Sequence, residues 1–370
     1  MTKFSKCLTR RELCDLELLM DGSFSPLTGF HTEKDFLSVA QNMRLENGKL
    51  WPIPIILTIS AEEKAAIGLN DSIILTDQDG YQIAEMNIED IYKPNMEDLT
   101  IALFGTNEDV HPYISILMQQ NDNYCIGGSV TKISNIFHKD FSSIRYTPED
   151  MKHIISTRKW DKVVAFQTRN PMHKSHFYLT LQALEEAGSS SHLLLHPVVG
   201  VTQPTDIYYQ LRVRCYEKLM RYYPEGRVFL SVLPLSMRMA GPREALWHAI
   251  IRKNYGATHF IVGRDHAGPS YKKLDGNSFF NPYDAQQLVE KHAKEIGIIP
   301  IFSKEIVYIP ETGQYLPIDT VPKGITTASI SGTQQRQLLS EKKQLPEWFT
   351  FPEVSSLLME EFDTCMSVNP

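Results

Sequence analysis

Apolar residues along the chain fall into two regimes. Up to about residue 147, short β-branched runs recur between turn signals. Residues 54–59 and Ser72–Thr76 (SIILT) have the length and composition of strands. The tetrapeptide DQDG at 77–80 marks a turn, and 81–86 reads as the return strand of a hairpin. A Gly-containing extended segment follows at 125–133. This part predicts a compact β-rich domain with short helices.

Near Thr147 the period changes. Thr147 caps a short helix that opens on Pro148. Apolar runs at 163–166, 193–196, 228–233 and 259–262 then alternate with helical stretches near 173–187, 206–222 and 242–255. Phe177, Leu181 and Leu184 share one helix face, and Gly188 suits the end of that helix. Pro242 fits the first turn of the third helix and Gly256 its end. Strands alternating with helices imply right-handed βαβ units and a parallel sheet. A further helix at 284–296 precedes two short strands, 298–302 and 306–309. The Pro-rich tail, with helices near 333–341 and 352–362, reads as a small appendage. The expected division is 1–147, 148–308 and 309–370.

With 370 residues the chain is long enough for two or three domains. Lys plus Arg number 37 against 44 Asp plus Glu, a formal net charge of -7. That balance argues against general nucleic-acid or membrane-surface binding, though a local basic pocket for a small anion fits within it. Cys7, Cys14, Cys125, Cys215 and Cys365 form no CxxC pair, so no structural zinc is expected and reduced thiols of a cytoplasmic protein fit better. The start, MTKFSKCLTRRELCDL, lacks the apolar core of a signal peptide, and no stretch approaches a membrane span.

Chemistry concentrates at two strand-to-helix turns. The first is Gln167-Thr168-Arg169-Asn170-Pro171-Met172-His173-Lys174-Ser175-His176. A helix N-terminus beyond a parallel strand favours phosphate or sulfate. Arg169 adds a fixed charge, and His173 and His176 share a helix face, where they can stabilise charge that develops in nucleotidyl transfer. The bland alternative makes Arg169 a surface charge and the histidines packing residues. The i, i+3 spacing, with no Glu between, disfavours a zinc-protease pair. The second turn is Gly263-Arg264-Asp265-His266-Ala267-Gly268-Pro269, whose glycines allow close backbone approach and whose amides can bind an anion; the alternative is an ordinary loop with an Arg–Asp pair. Arg243 either faces the cleft, pairs with Glu244 or Asp265, or serves as scaffold, the role favoured here. Ser331 either begins a helix that lends amides to a phosphate or simply caps it.

These residues resemble the ATP sulfurylase (sulfate adenylyltransferase) family. QTRNPMHKSH (167–176) is similar to its Q-x-R-N-P-x-H-x-x-H signature, and GRDHAGP (263–269) to its second signature. AGPREALWHA (240–249), NPYDAQ (281–286), SISGTQQR (329–336) and GSFSPLTGF (22–30) also resemble its blocks. The resemblance implies an α/β fold: a Rossmann-like (HUP-type) nucleotidyltransferase core, an N-terminal PUA-like β-rich domain and a small C-terminal α/β domain. It implies conversion of ATP and sulfate to adenosine 5′-phosphosulfate and pyrophosphate, with Mg²⁺ accompanying the nucleotide. It places Gln167, Arg169 and Ala267 on sulfate, and Gln167, Thr168, Arg169, Asn170, Gly263, Arg264, Asp265, His266 and Ile306 on ATP. Thr168, Arg169, Asn170, His173 and His176 would be catalytic. Ser270 stands where the family usually has Gly, and no GxxxxGK[ST] run is present, so no adenylylsulfate-kinase activity is expected. A homo-oligomer is expected. The alternatives are another HxxH adenylyltransferase and a non-catalytic PUA-type RNA-binding protein.

Overall fold

A computed structural model of the protein describes residues 4–366. The first three residues and the last four lie outside the described residues. So do the side chains of Thr333, in the SISGTQQR block, and of residues 362–366, Cys365 among them.

The N-terminal region contains β1 (Ser5–Cys7), α1 (Arg10–Met20), β2 (Gly29–Phe30), α2 (Glu33–Asn42), β3 (Leu57–Ile59), α3 (Ala61–Ala65), β4 (Ser72–Thr76), β5 (Gln82–Asn87), β6 (Asp90–Tyr92), α4 (Met96–Phe104), α5 (Pro112–Gln119) and β7 (Tyr124–Lys132). Its seven strands form one sheet in the order β1-β4-β5-β7-β2, with β3 and β6 also paired to β7. The 77–80 turn joins β4 to β5 as the hairpin pattern requires. At the β2–β7 crossing a Cβ on Gly29 would sit 1.9 Å from the carbonyl oxygen of Gly128, so the two backbones meet only because a side chain is missing. The helices are longer than the sequence pattern suggests. α1 has 11 residues, held by a capping box between Thr9 and Glu12, and α2 has 10 behind a Thr32 cap.

From Thr147 the order is α6 (Pro148–Thr157), β8 (Lys162–Phe166), α7 (Lys174–Ala187), β9 (Ser191–Leu195), α8 (Tyr209–Leu219), β10 (Val228–Leu230), α9 (Gly241–Asn254), β11 (His259–Val262), α10 (Asp284–Ile296) and β12 (Ile299–Phe302). These five strands form a parallel sheet in the order β10-β9-β8-β11-β12. The chain winds outward from β8 to β10, then returns to place β11 on the other side of β8. The order therefore reverses between β8 and β11, where a doubly wound sheet opens its ligand crevice. Both signature turns leave the sheet there.

The last part is a hairpin, β13 (Ile306–Ile309) and β14 (Gln314–Pro317), followed by α11 (Gly332–Ser340) and α12 (Pro352–Met366). It is more than an appendage. Leu339, Leu345, Phe349, Phe351, Val354, Leu357 and Leu358 are buried in one cluster with Val164 and Phe177 of the sheet region. A second cluster joins the N-terminal sheet to the parallel one through Phe24, Trp51 and Trp247, whose rings lie 5.1 to 6.3 Å apart.

Candidate active site

The first turn runs from the end of β8 at Phe166 to the start of α7 at Lys174. Its backbone is tethered before any ligand arrives. Val198 N–H donates to the Thr168 carbonyl at 3.0 Å. Arg212 Nη1 donates to the Arg169 carbonyl at 2.7 Å, and the Tyr216 hydroxyl to the Asn170 carbonyl at 2.8 Å. Arg212 and Tyr216 stand one turn apart on α8, so that helix grips two successive carbonyls. Thr168 Oγ1 donates to the Asn170 carbonyl at 3.1 Å and accepts from the Asn170 N–H at 3.3 Å, closing the turn internally.

Arg169 spans both turns. Its Nη1 lies 2.8 Å from each Asp206 carboxylate oxygen, and its Nη2 donates to the Gly268 carbonyl at 3.0 Å. The pair is shielded, with side chains 13% and 4% exposed. A guanidinium carries five N–H donors in a fixed fork, which leaves capacity for an oxyanion.

Gln167 is oriented from behind. Arg252 Nη2 donates to its Oε1 at 2.8 Å and to the His196 carbonyl at 3.1 Å. Burial pulls Arg252 down to about 9, still above neutral pH.

The His173 and His176 rings pack against each other at a 32° tilt, centroids 3.9 Å apart. The Phe349 ring stacks on His173 at 4.9 Å, and the Phe349 carbonyl accepts from Lys174 N–H at 2.9 Å. Burial, then the neighbouring His176, holds His173 well below the usual histidine range. Burial brings His176 to about 4. Both rings are neutral at pH 7, so each offers an N–H donor without a fixed charge. The N-terminus of α7, 14 residues long, has no side-chain cap, so its first amides are not taken by one.

The second turn follows β11. Asp265 (φ 51°) and Ala267 (φ 58°) adopt left-handed backbone, which L-residues with a Cβ rarely do. Asp265 N–H donates to the Pro282 carbonyl at 2.7 Å, and Gly241 N–H to the Ala267 carbonyl at 3.2 Å. His266 Nε2 lies 3.1 Å from His248 Nδ1, and His248 Nε2 lies 3.5 Å from Glu244. Burial lowers His266 and raises Glu244. Glu244 in turn accepts from the N–H groups of Arg238 and Ala240 at 3.0 and 2.8 Å.

One cavity of about 400 Å³ is lined by Gln167, Thr168, Arg169, Asn170, His173, His176, Gly263, Arg264, Asp265, His266, Ala267 and Ile306. Every residue that the resemblance places on sulfate or ATP, or makes catalytic, thus lines one space. Met237, Ser329 and Phe349 line it too. Arg243 is turned away, with its guanidinium on the Val39, Pro52 and Ala40 carbonyls at 2.9 to 3.5 Å, near the C-terminus of α2. Ser331 caps α11 in a capping box with Gln334. Asp206, Arg212, Arg252 and Phe349 carry no local signal in the sequence, because each meets the site from a distant segment. Among the described residues no three His, Cys, Asp or Glu side chains gather as a metal site. Among them, too, no helix is long and apolar enough to cross a membrane.

A family model described as ATP-sulfurylase matches residues 142–361, and one described as PUA-like domain matches 3–135. The chain belongs to the ATP-sulfurylase family. A sulfate adenylyltransferase of Schizosaccharomyces pombe is 45% identical over 357 residues, covering 96% of this chain and 72% of that protein. The namesake from Gibberella zeae is 46% identical over 96% of this chain, which spans 62% of that longer relative, under two thirds. A solved structure described as a hexameric APS kinase from Thiobacillus denitrificans superposes with a TM-score of 0.78 at 27% identity, covering 97% of this chain and 63% of that one. In this family setting the parallel sheet is the Rossmann-like core and the β-rich sheet the PUA-like domain.

Proposed function

We propose that this chain is a sulfate adenylyltransferase, joining ATP and sulfate to give adenosine 5′-phosphosulfate and pyrophosphate. The observation that carries this reading is the Arg169 guanidinium, which reaches from its own turn to the Gly268 carbonyl of the other. Sulfate and the α-phosphate repel each other, and two turns joined by a cation can hold both at one sheet edge. Holding them there removes the entropic cost of encounter.

Sulfate lies against Gln167, Arg169 and the Ala267 amide. ATP lies along Thr168, Arg169, Asn170 and the 263–266 turn, with its base toward Ile306. A sulfate oxygen attacks the α-phosphorus in line. The new S–O–P linkage forms as the bond from the α-phosphorus to the bridging oxygen breaks, and pyrophosphate leaves with that electron pair. Sulfate is already deprotonated, so no general base is needed, and no side-chain nucleophile enters the path. Asn170, His173, His176 and Arg264 donate to charge that grows on the α-phosphate and the leaving group. Mg²⁺ carried on the triphosphate would supply further neutralisation of the phosphate charge.

Several coarser expectations belong to the same reading. The chain divides at 147/148 and 308/309, works in the cytoplasm and assembles with copies of itself, as the hexameric Thiobacillus protein does. The test is release of pyrophosphate from ATP, with pyrophosphatase present to pull the reaction. The reading expects release to require sulfate. Release without sulfate, or driven equally by another acceptor, overturns it.

A further inference from the structure

The polar contacts around Ser270 close into a ring. Ser270 follows the second signature turn. Its N–H donates to Gln203 Oε1 at 3.0 Å, and its hydroxyl accepts from Gln203 Nε2 at 2.5 Å. The same Nε2 donates to Asp206 Oδ1 at 2.8 Å. Asp206 holds Arg169 through both carboxylate oxygens, and Arg169 returns to the Gly268 carbonyl, two residues before Ser270. The Gln203 carboxamide spends both its N–H donors and its oxygen within this ring. Only one orientation of the amide satisfies it, because the flipped one would set Oε1 against the Asp206 carboxylate.

The ring is shielded where it meets the guanidinium. Gln203 is 3% exposed and Asp206 6%. Arg169 lines the catalytic cavity, whereas Gln203 and Asp206 line a second cavity of about 730 Å³. The ring is therefore part of the partition between the two, and Arg169 sits at its catalytic edge.

We propose that Gln203 and Ser270 are positioning residues that act through Asp206 to set the place and donor capacity of Arg169, and so the affinity for the attacking oxyanion. This rests on the reading that Arg169 binds sulfate. The N–H from Gln203 satisfies one lone pair of Asp206. Without it the carboxylate draws harder on the guanidinium, and fewer Arg169 donors remain for sulfate. Gln203 also ties Ser270 down, which fixes the Gly268 carbonyl and the Ala267 amide relative to Arg169. Neither residue lines the catalytic cavity, so the nucleotide is expected to be indifferent to both.

The test is steady-state kinetics on Gln203→Leu, Ser270→Gly, Ser270→Thr and the double variant Gln203→Leu/Ser270→Gly, varying sulfate and ATP in turn. Gln203→Leu should raise KM for sulfate roughly tenfold, and Ser270→Gly about threefold, since it keeps the N–H contact. Ser270→Thr should restore the parent KM. KM for ATP should stay within about twofold throughout, and the double variant should be no worse than Gln203→Leu alone, as coupled partners require. Should Gln203→Leu fail to fold, Ser270→Gly with its Thr rescue carries the test, since Ser270 is exposed. An unchanged KM for sulfate, or a KM for ATP that rises in step with it, overturns the proposal. Arg169→Ala separates the two levels. If it retains the parent KM for sulfate, the underlying reading fails; if it loses sulfate turnover while the Gln203 and Ser270 variants behave as parent, only the ring's role fails.

Discussion

Arg169 joins the two turns, and its removal should be the most damaging single change. It is a shielded cation with a carboxylate partner at 2.8 Å. Arg169→Ala removes the cation that faces Asp206 and, on the proposed reading, the cation that faces sulfate. The expected loss is about 2–5 kcal/mol of transition-state stabilisation, roughly 30- to 5,000-fold in kcat/KM for sulfate. The histidines predict a different pattern. Because burial keeps His173 and His176 neutral, in the proposed role they would stabilise charge only as it appears. His173→Ala and His176→Ala should therefore lower kcat by roughly 10- to 100-fold while KM for ATP moves little, which steady-state kinetics can separate. At this scale the sequence was partly legible. Gln167 to His176 stood out because strand, turn and helix are contiguous. Asp206 did not, since only folding brings it from 37 positions away. Phe349, stacked on His173 from the tail, was hidden for the same reason.

Among the elements, legibility followed the strength of local signals. β4, β11 and β13 span the residues that their β-branched runs mark, and α6 begins at the Thr147 capping box. α8 is shorter than the 206–222 pattern. Asp206, at its expected start, is committed to the ion pair with Arg169, and the last turn tightens to a 3₁₀ helix at 220–222. β10 stops at Leu230, although Leu233 still bridges Val198. The longer N-terminal helices were obscured because β-branched runs dominate that region, while their true markers are caps such as Thr9 and Thr32. Arg243 tests how elements are joined. It ties α9 to the C-terminal carbonyls of α2, where a cation also suits the helix dipole. Arg243→Ala should cost about 1.5–3 kcal/mol in denaturant unfolding and leave KM for ATP and sulfate unchanged. A KM shift without destabilisation would place Arg243 in the cleft instead.

In the whole molecule, a buried neutral histidine ties the N-terminal region to the rest. His111 caps α5 through Nδ1, and its Nε2 contacts the Met239 carbonyl at 3.1 Å. Burial lowers His111 to about 4 and His31 to about 3. Once unfolded they titrate near 6.5, so the folded state is favoured in full above that pH. As pH falls from 6.5 toward 4 the unfolded chain gains protons that the folded chain refuses, and Tm should fall over that window. His111→Asn, which keeps a cap but cannot titrate, should flatten the slope. An unaltered slope would show that the acid loss arises elsewhere. The same architecture carries the central claim, that two turns at the reversal point of one parallel sheet cradle a tetrahedral oxyanion beside a nucleotide. The most direct measurement is a crystal structure with adenosine 5′-phosphosulfate bound. The sulfo group should lie within hydrogen-bond distance of the Arg169 guanidinium and the Ala267 amide. A product molecule seated instead in the 730 Å³ cavity, against Arg11 and Arg212, would contradict it.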